Sequence, residues 1–290
     1  GLTVFIGRIY AYRALKPMSD VVKQVDKITI ASLNMRVNEG NGTDEIAQLA
    51  ITFNQMLERL ESAFEMQRSF VSNASHELCT PLTSITGQIE VSLMKSRTHE
   101  EYEAILESVL EDIKNLNALS NGLLDLAKAS SDISAIALHK LRIDEILWET
   151  RAELIERKKD YNISIEFSEP IEDEKEITVL GNDHLLKTAI LNLMDNACKF
   201  SSDKSVEIFL SVKGKYIVTE FADNGIGIDT ADMGKIFEPF FRAKNAKNIF
   251  GNGLGLSLTD KIIQIHHGTI SIESQLHKGT TVTISIPFLF

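Results

Sequence analysis

The chain has 290 residues, 43% of them hydrophobic and 24% charged, the proportions of folded protein with room for two or more domains. Its formal charge of −11 argues against a nucleic-acid binder, which needs a basic face to neutralise phosphates. The two cysteines, Cys79 and Cys198, have no metal-ligand spacing and lie in separate helical segments, which points to a reducing compartment without disulfides.

The first residues, GLTVFIGRIYAYRALKP, form an apolar run too short to span a bilayer, which needs about 20 apolar residues. Tyr10, Tyr12, Arg13 and Lys16 have the character of the aromatic and basic flank at the cytoplasmic end of a membrane helix. Residues 1–12 are therefore expected to be the end of a transmembrane helix in a fragment of a larger protein at the inner membrane. A soluble helical extension is the alternative, favoured by Arg8 within the run. From Pro17 a helical pattern runs through Val21, Val22, Val25 and Ile28 and breaks at the Asn38–Gly42 cluster. A second helix is expected from Thr43 or Asp44, with Ile46, Leu49, Phe53, Met56 and Leu60 at steps of three and four, a coiled-coil seam. Two short helices with LNMRV before the break and DEIAQLAITFNQM after it resemble a HAMP domain, the parallel four-helix relay of membrane receptors, over residues 13–60. Ala47 stands where that family often has glycine, and a generic coiled coil is the plainer alternative. Phe64 follows Leu60 by four after another step of four, a stutter that predicts local unwinding.

FVSNASHELCTPLTSI, Phe70 to Ile85, places His76, Thr80 and Thr83 on one helical face, opposite an apolar stripe of Leu78, Leu82, Ile85 and Ile89. The imidazole should face water, Glu77 could hydrogen-bond one ring nitrogen, and Pro81 should bend the helix. By itself this describes an ordinary surface histidine. The helix is expected to reach about Lys95, turn at Ser96–His99 and return from Glu100 to Ala129, with Val109, Ile113, Leu116, Leu123 and Leu126 inward. Two such hairpins must pair to bury their stripes, so a dimeric four-helix bundle over 61–130 is expected, with 131–137 as linker.

From residue 138 the pattern is mixed. IDEILWETRAELIERK is an amphipathic helix, NISIEF and EITVL are strands, SVEIFLSV and YIVTEF form a hairpin around Lys213–Lys215, and GTISIES and GTTVTISIPF close the chain. This order predicts a two-layer α/β sandwich, one mixed sheet with helices on one face. On the helix near His184, Asn192, Asn196 and Lys199 share a face. A carboxamide oxygen suits Mg²⁺, a lysine suits phosphate, and Phe200 can lie against a purine. Asp223 opens DNGIGI where a strand ends and could accept the exocyclic amine of adenine, while Gly225 and Gly227 admit the base. GNGLGL, with Gly251, Gly253, Leu254 and Gly255, leads into a helix whose free N–H groups attract phosphate. Between these loops, Arg242, Lys244 and Lys247 lie on a breaker-rich segment read as a mobile lid. Separately, each of these features is a polar helix face or a tight turn.

Together, SHELCTPL, NLMDNACKF, DNGIGI, FEPFFR and GNGLGL resemble the sensor histidine kinases of bacterial two-component systems over nearly the whole chain. The resemblance implies a homodimer with a HAMP coiled coil, a histidine-bearing four-helix bundle and an α/β sandwich that binds ATP and Mg²⁺. It implies autophosphorylation of His76, transfer to an aspartate on the receiver domain of a response regulator, and often dephosphorylation of that regulator. It makes Asn196 the magnesium ligand, Glu77 the group that orients the ring, and Thr80 the holder of a water in the reverse activity. Two positions depart from the pattern: Cys79 stands where the family usually has a cation, and His267 where it has glycine. A non-catalytic nucleotide-binding dimeric scaffold is the rival reading, and an ATPase of the gyrase, Hsp90 and MutL superfamily is another.

Overall fold

The computed structural model describes residues 2–40, 42–130, 137–168, 174–246, 249 and 251–289. Most of the expected linker, the side chains of Tyr10, Tyr12 and Arg13, and Lys247 lie outside the described residues. The chain divides into two compact units, 1–73 and 74–290.

In the first unit, α1 (Leu2–Val25) is one helix with Pro17 inside it. It joins the helix expected over residues 1–12 to the helical pattern expected from Pro17. The turn continues through because proline removes only one hydrogen bond, which a long helix tolerates. Among the described residues, no helix is long and apolar enough to cross a membrane. The break opens with an Asx turn at 38–40, in which Asn38 Oδ1 accepts the Gly40 N–H at 2.9 Å, and both Gly40 and Gly42 take positive φ. Asp44 then accepts the Ala47 N–H at 2.8 Å and caps α2 (Glu45–Leu93). The connector is fastened to α2 by Asn54, which accepts from the Val37 N–H at 2.8 Å and donates to the Val37 carbonyl at 2.9 Å. Ala47, Ala50 and Leu57 are buried, whereas the seam residues Leu49, Met56 and Leu60 stay exposed.

In the second unit, α2 is unbroken through Pro81, and α3 (His99–Ser130) returns from a capping box in which Thr98 and Glu101 bond each other's N–H groups. Val109, Leu119 and Leu126 are buried, while Leu82, Ile89, Leu106, Leu110 and Ile113 are exposed. Beyond α3 lie β1 (His139–Arg142), α4 (Ile143–Arg157), β2 (Asn162–Phe167), β3 (Thr178–Gly181), α5 (Asp183–Phe200), β4 (Ser205–Lys213), β5 (Tyr216–Asp223), α6 (Gly255–Ile265), β6 (Thr269–Gln275) and β7 (Gly279–Pro287). The main sheet has the order β2-β4-β5-β7-β6, with only β2 and β4 parallel, and β1 and β3 form a separate antiparallel ribbon. Alternation sends Ile208, Leu210, Ile217, Phe221, Ile284 and Ile286 into the core. Leu186, Ile190, Leu193 and Met194 of α5, with Ile262 and Ile263 of α6, complete it.

His266 fixes α6 to the start of α5. Its ring is 2% exposed, Nε2 accepts the Asn182 N–H at 3.0 Å, and Nδ1 lies 2.7 Å from the Ile262 carbonyl. Both contacts are satisfied by one neutral tautomer, protonated at Nδ1. Asn182 in turn caps α5 by accepting the Leu185 N–H. The helix carrying Asn196 and the helix led by the glycine loop are thereby held at a fixed offset.

Candidate nucleotide site and phospho-acceptor helix

His76 is exposed on α2, as its helical face requires. Thr80 Oγ1 donates to the His76 carbonyl at 3.0 Å, and Thr83 Oγ1 to that of Cys79 at 2.8 Å. The side chains of His76 and Glu77 are not hydrogen-bonded to each other, because adjacent residues on a helix point about 100° apart. Cys79 is an exposed free thiol. Cys198, on α5, is buried, and burial pushes its thiol up to about 12, which keeps it protonated and inert.

The C-terminal half of α5 and the loops after β5 and before α6 meet in one place. Asn192 is half-buried against Gly255, where an added Cβ would lie 3.5 Å from the carboxamide. Lys199 sets its ammonium beside Gly251, where an added Cβ would come within 2.6 Å of Nζ, and that ammonium also lies 5.1 Å from the centre of the Phe200 ring. Burial lowers the pKa of Lys199, and the Asp195 carboxylate opposes the shift. Asp223 Oδ1 accepts the Gly225 N–H at 2.8 Å and the Thr280 N–H at 3.3 Å, and no hydrogen bond engages Oδ2 among the described residues. Burial raises this carboxyl above the usual range, and the two backbone donors oppose it.

The glycines of DNGIGI are there for close approach. A Cβ on Gly225 or Gly227 would collide with the carbonyl of Phe200 or of Gln275, and Gly227 has φ +64. The Ile226 N–H donates to the Phe200 carbonyl at 3.2 Å, so this loop is seated on the end of α5. Gly253, at φ +68, packs on the Phe240 and Phe241 backbone, and its carbonyl accepts the Phe240 N–H at 2.8 Å. Leu254 leads α6 with no side-chain cap, and it is itself buried, with Gly122 of α3 alongside. Among the described residues the first N–H groups of α6 therefore have no side-chain acceptor, the arrangement that binds anions.

The structure therefore brings Asn192, Lys199, Phe200, Asp223, Gly225, Gly227, Gly251, Gly253 and Gly255 together around the end of α5. Arg242 Nη2 donates to the carbonyls of Ala246 at 3.0 Å and Ile249 at 2.6 Å. Lys244 is exposed and its N–H donates to Asp232. Sequence reasoning missed Thr280, whose backbone donor helps to hold Asp223. The signal was Gly279, at φ +102, where a Cβ would strike the Asp223 carbonyl. A separate concavity of about 320 Å³, lined by Lys140, Arg142, Glu145, Glu149, Thr178 and Asp183 among others, shares no residue with this site.

Three family models match the chain: the HAMP domain over 9–62, the His Kinase A phospho-acceptor domain over 66–132, and the histidine kinase-, DNA gyrase B- and HSP90-like ATPase over 181–289. The chain belongs to the two-component sensor histidine kinases. It is 30% identical over 99% of its length to the signal transduction histidine-protein kinase ArlS of Staphylococcus epidermidis, and 31% identical over 98% to that of Staphylococcus aureus. It spans 63% and 62% of those relatives. Among solved structures, the Acinetobacter baumannii histidine kinase AdeS superposes with a TM-score of 0.57 over 74% of this chain and 98% of that one, at 22% identity. Histidine kinase ThkA, in complex with response regulator protein TrrA, gives 0.63 over 79% of this chain and 64% of that one, at 21% identity. Both structures share the fold, helices followed by the sheet-and-helix ATPase module.

Proposed function

We propose that this chain is the kinase core of a sensor, transferring the γ-phosphoryl group of ATP to His76 and then to an aspartate on the receiver domain of a response regulator. The observation that carries the reading is that His76 stands exposed on the phospho-acceptor helix of a chain whose sheet module carries an anion-seeking, glycine-lined site. One ring nitrogen attacks phosphorus, the bond to the ADP oxygen breaks, and the proton on the other nitrogen passes to a base, for which Glu77 is proposed, either after its side chain turns toward the ring or through one water. Asp223, with Oδ2 uncommitted, accepts the adenine amine. The N–H groups leading α6, with Lys199, draw the phosphates, and Phe200 flanks the base.

The donor set fits Mg²⁺ rather than a metal held by protein alone. No cluster of three metal-binding side chains occurs among the described residues, and Asn196 offers one neutral oxygen beside a nucleotide that would bring its own. When bound, the ion neutralises phosphate charge. The exposed apolar stripes of α2 and α3 support a homodimer, and the ThkA–TrrA complex supports a receiver domain as partner. Thr80, its hydroxyl proton committed to the His76 carbonyl, keeps lone pairs that would orient a water for dephosphorylation of the regulator. We further propose that the portion works on the cytoplasmic side of the inner membrane, where ATP and reduced thiols are found.

Incubation with [γ-³²P]ATP should give acid-labile, alkali-stable label on the wild type. None should appear on His76→Gln, which still binds nucleotide, and Asn196→Ala should lose magnesium-dependent binding. Label persisting on His76→Gln would refute the assignment.

A further inference from the structure

Residues 242–246, which follow FEPFF, are tied to the adenine-facing loop by one side chain that the site described above does not use. Asn245 Nδ2 donates to the Gly227 carbonyl at 2.8 Å, across 18 residues of sequence. Its neighbours reinforce the seating: the Lys244 N–H donates to Asp232 Oδ2 at 3.3 Å, and Ala246 is 9% exposed. At the root of the segment, the Phe240 N–H donates to the Gly253 carbonyl at 2.8 Å. Arg242 holds the segment's own carbonyls at Ala246 and Ile249. The acceptor is equally well placed. Gly227 is fixed by its positive φ, its approach to Gln275, and the bond from the neighbouring Ile226 N–H to Phe200. A carbonyl held this firmly makes a defined docking point, and a carboxamide N–H is the donor that reaches it without bringing a charge.

We infer that Asn245 is a positioning residue for the adenine nucleotide: its bond to Gly227 seats the segment carrying Arg242 and Lys244 against the loop that reads the base. The role rests on the nucleotide-site reading given above. Binding ATP to a loop already joined to this segment avoids part of the ordering that a loose segment would require, so the bond acts on affinity rather than on the phosphoryl-transfer step.

Two variants separate this from a general packing role. Asn245→Ala removes the side chain beyond Cβ, and Asn245→Asp keeps its size but replaces the donor with an acceptor that faces the Gly227 carbonyl. In nucleotide-free full-length chain, limited trypsin cleavage after Lys244 should run about tenfold faster in both variants, because proteolysis follows the population of the open segment. In autophosphorylation assays, KM for ATP should rise about fivefold in Asn245→Ala and further in Asn245→Asp, with kcat within twofold of wild type. Wild-type cleavage rates in both variants would overturn the inference, as would a fall in kcat at unchanged KM. Absence of labelling in the wild type itself would sink the kinase reading, while the trypsin comparison would still decide the role of the bond.

Discussion

The α2–α3 hairpin and the sheet module treat the same kinds of side chain in opposite ways. In the sheet module Ile208, Leu210, Ile262 and Ile263 are wholly removed from solvent, whereas in the hairpin Leu106 and Leu110 are 66% and 51% exposed. One region closes its own core within a single chain. The other presents half of a core, which a second copy in the proposed homodimer would complete, since apolar stripes on both sides of a helix pair have nowhere else to go. The stability of the first should therefore be a property of the chain, and that of the second a property of concentration. Trp148 on α4 is the only tryptophan, so its fluorescence reports the sheet module alone, while helical circular dichroism is weighted toward α2 and α3.

The largest effect is expected at Gly227. Alanine there must hold a left-handed backbone, at about 1–2 kcal/mol, and its Cβ must displace the Gln275 carbonyl. We expect the Trp148 urea transition to fall by about 3 kcal/mol or more, with the helical transition at its wild-type midpoint. A loss below about 1 kcal/mol would show that the loop yields. The converse test is Leu110→Glu. On a free surface it would cost almost nothing, but in a paired bundle it should cost about 2–3 kcal/mol per subunit, the burial of a leucine forgone and a charge trapped. Sedimentation should show a weakened dimer and an unmoved Trp148 transition, and an unchanged dimer would remove this face from the interface.

A third difference concerns pH. His266 is buried and neutral, and burial holds its pKa below the ordinary 6.5. The unfolded chain then binds the proton more readily than the folded one, so the stabilisation is complete above pH 6.5 and is lost as pH falls from there through the folded value. Protonation would also turn Nε2 into a donor facing the Asn182 N–H. The Trp148 midpoint should decline more steeply between pH 7.5 and 5.5 in wild type than in His266→Gln, and parallel declines would exclude the imidazole as the cause.

The comparison also explains what the sequence could reveal. Period and capping chemistry are local, so the α2–α3 turn, the strands of the main sheet and the shared face of Asn192, Asn196 and Lys199 were legible. β1 was not, because His-Lys-Leu-Arg carries little strand character and its extended form is set by pairing with β3, some 40 residues away. Arg242 was read as part of a mobile, breaker-rich segment, yet its guanidinium holds the carbonyls of Ala246 and Ile249, which only the path of the segment brings within reach. Asp223 was visible at the end of its strand, whereas the Thr280 donor that steadies it arrives from another strand.

The smallest effect tests a departure that sequence alone could place only in a turn. α6 ends in a Schellman motif, with the Gly268 N–H bonded to the Ile263 carbonyl at 2.9 Å and the His267 N–H to that of Gln264 at 3.0 Å. The residue between helix and strand in such a motif takes a left-handed conformation, and here it is His267, at φ +55. Glycine would adopt that conformation without the Cβ penalty, although it also loses more entropy on folding, so the net gain is smaller than the penalty alone. His267→Gly should raise the Trp148 transition by about 0.5–1 kcal/mol and make the pH slope assigned to His266 slightly shallower, because the neighbouring His267 charge adds to the burial that lowers that imidazole. A loss of stability would mean that the exposed His267 side chain makes a contribution larger than the strain of its backbone.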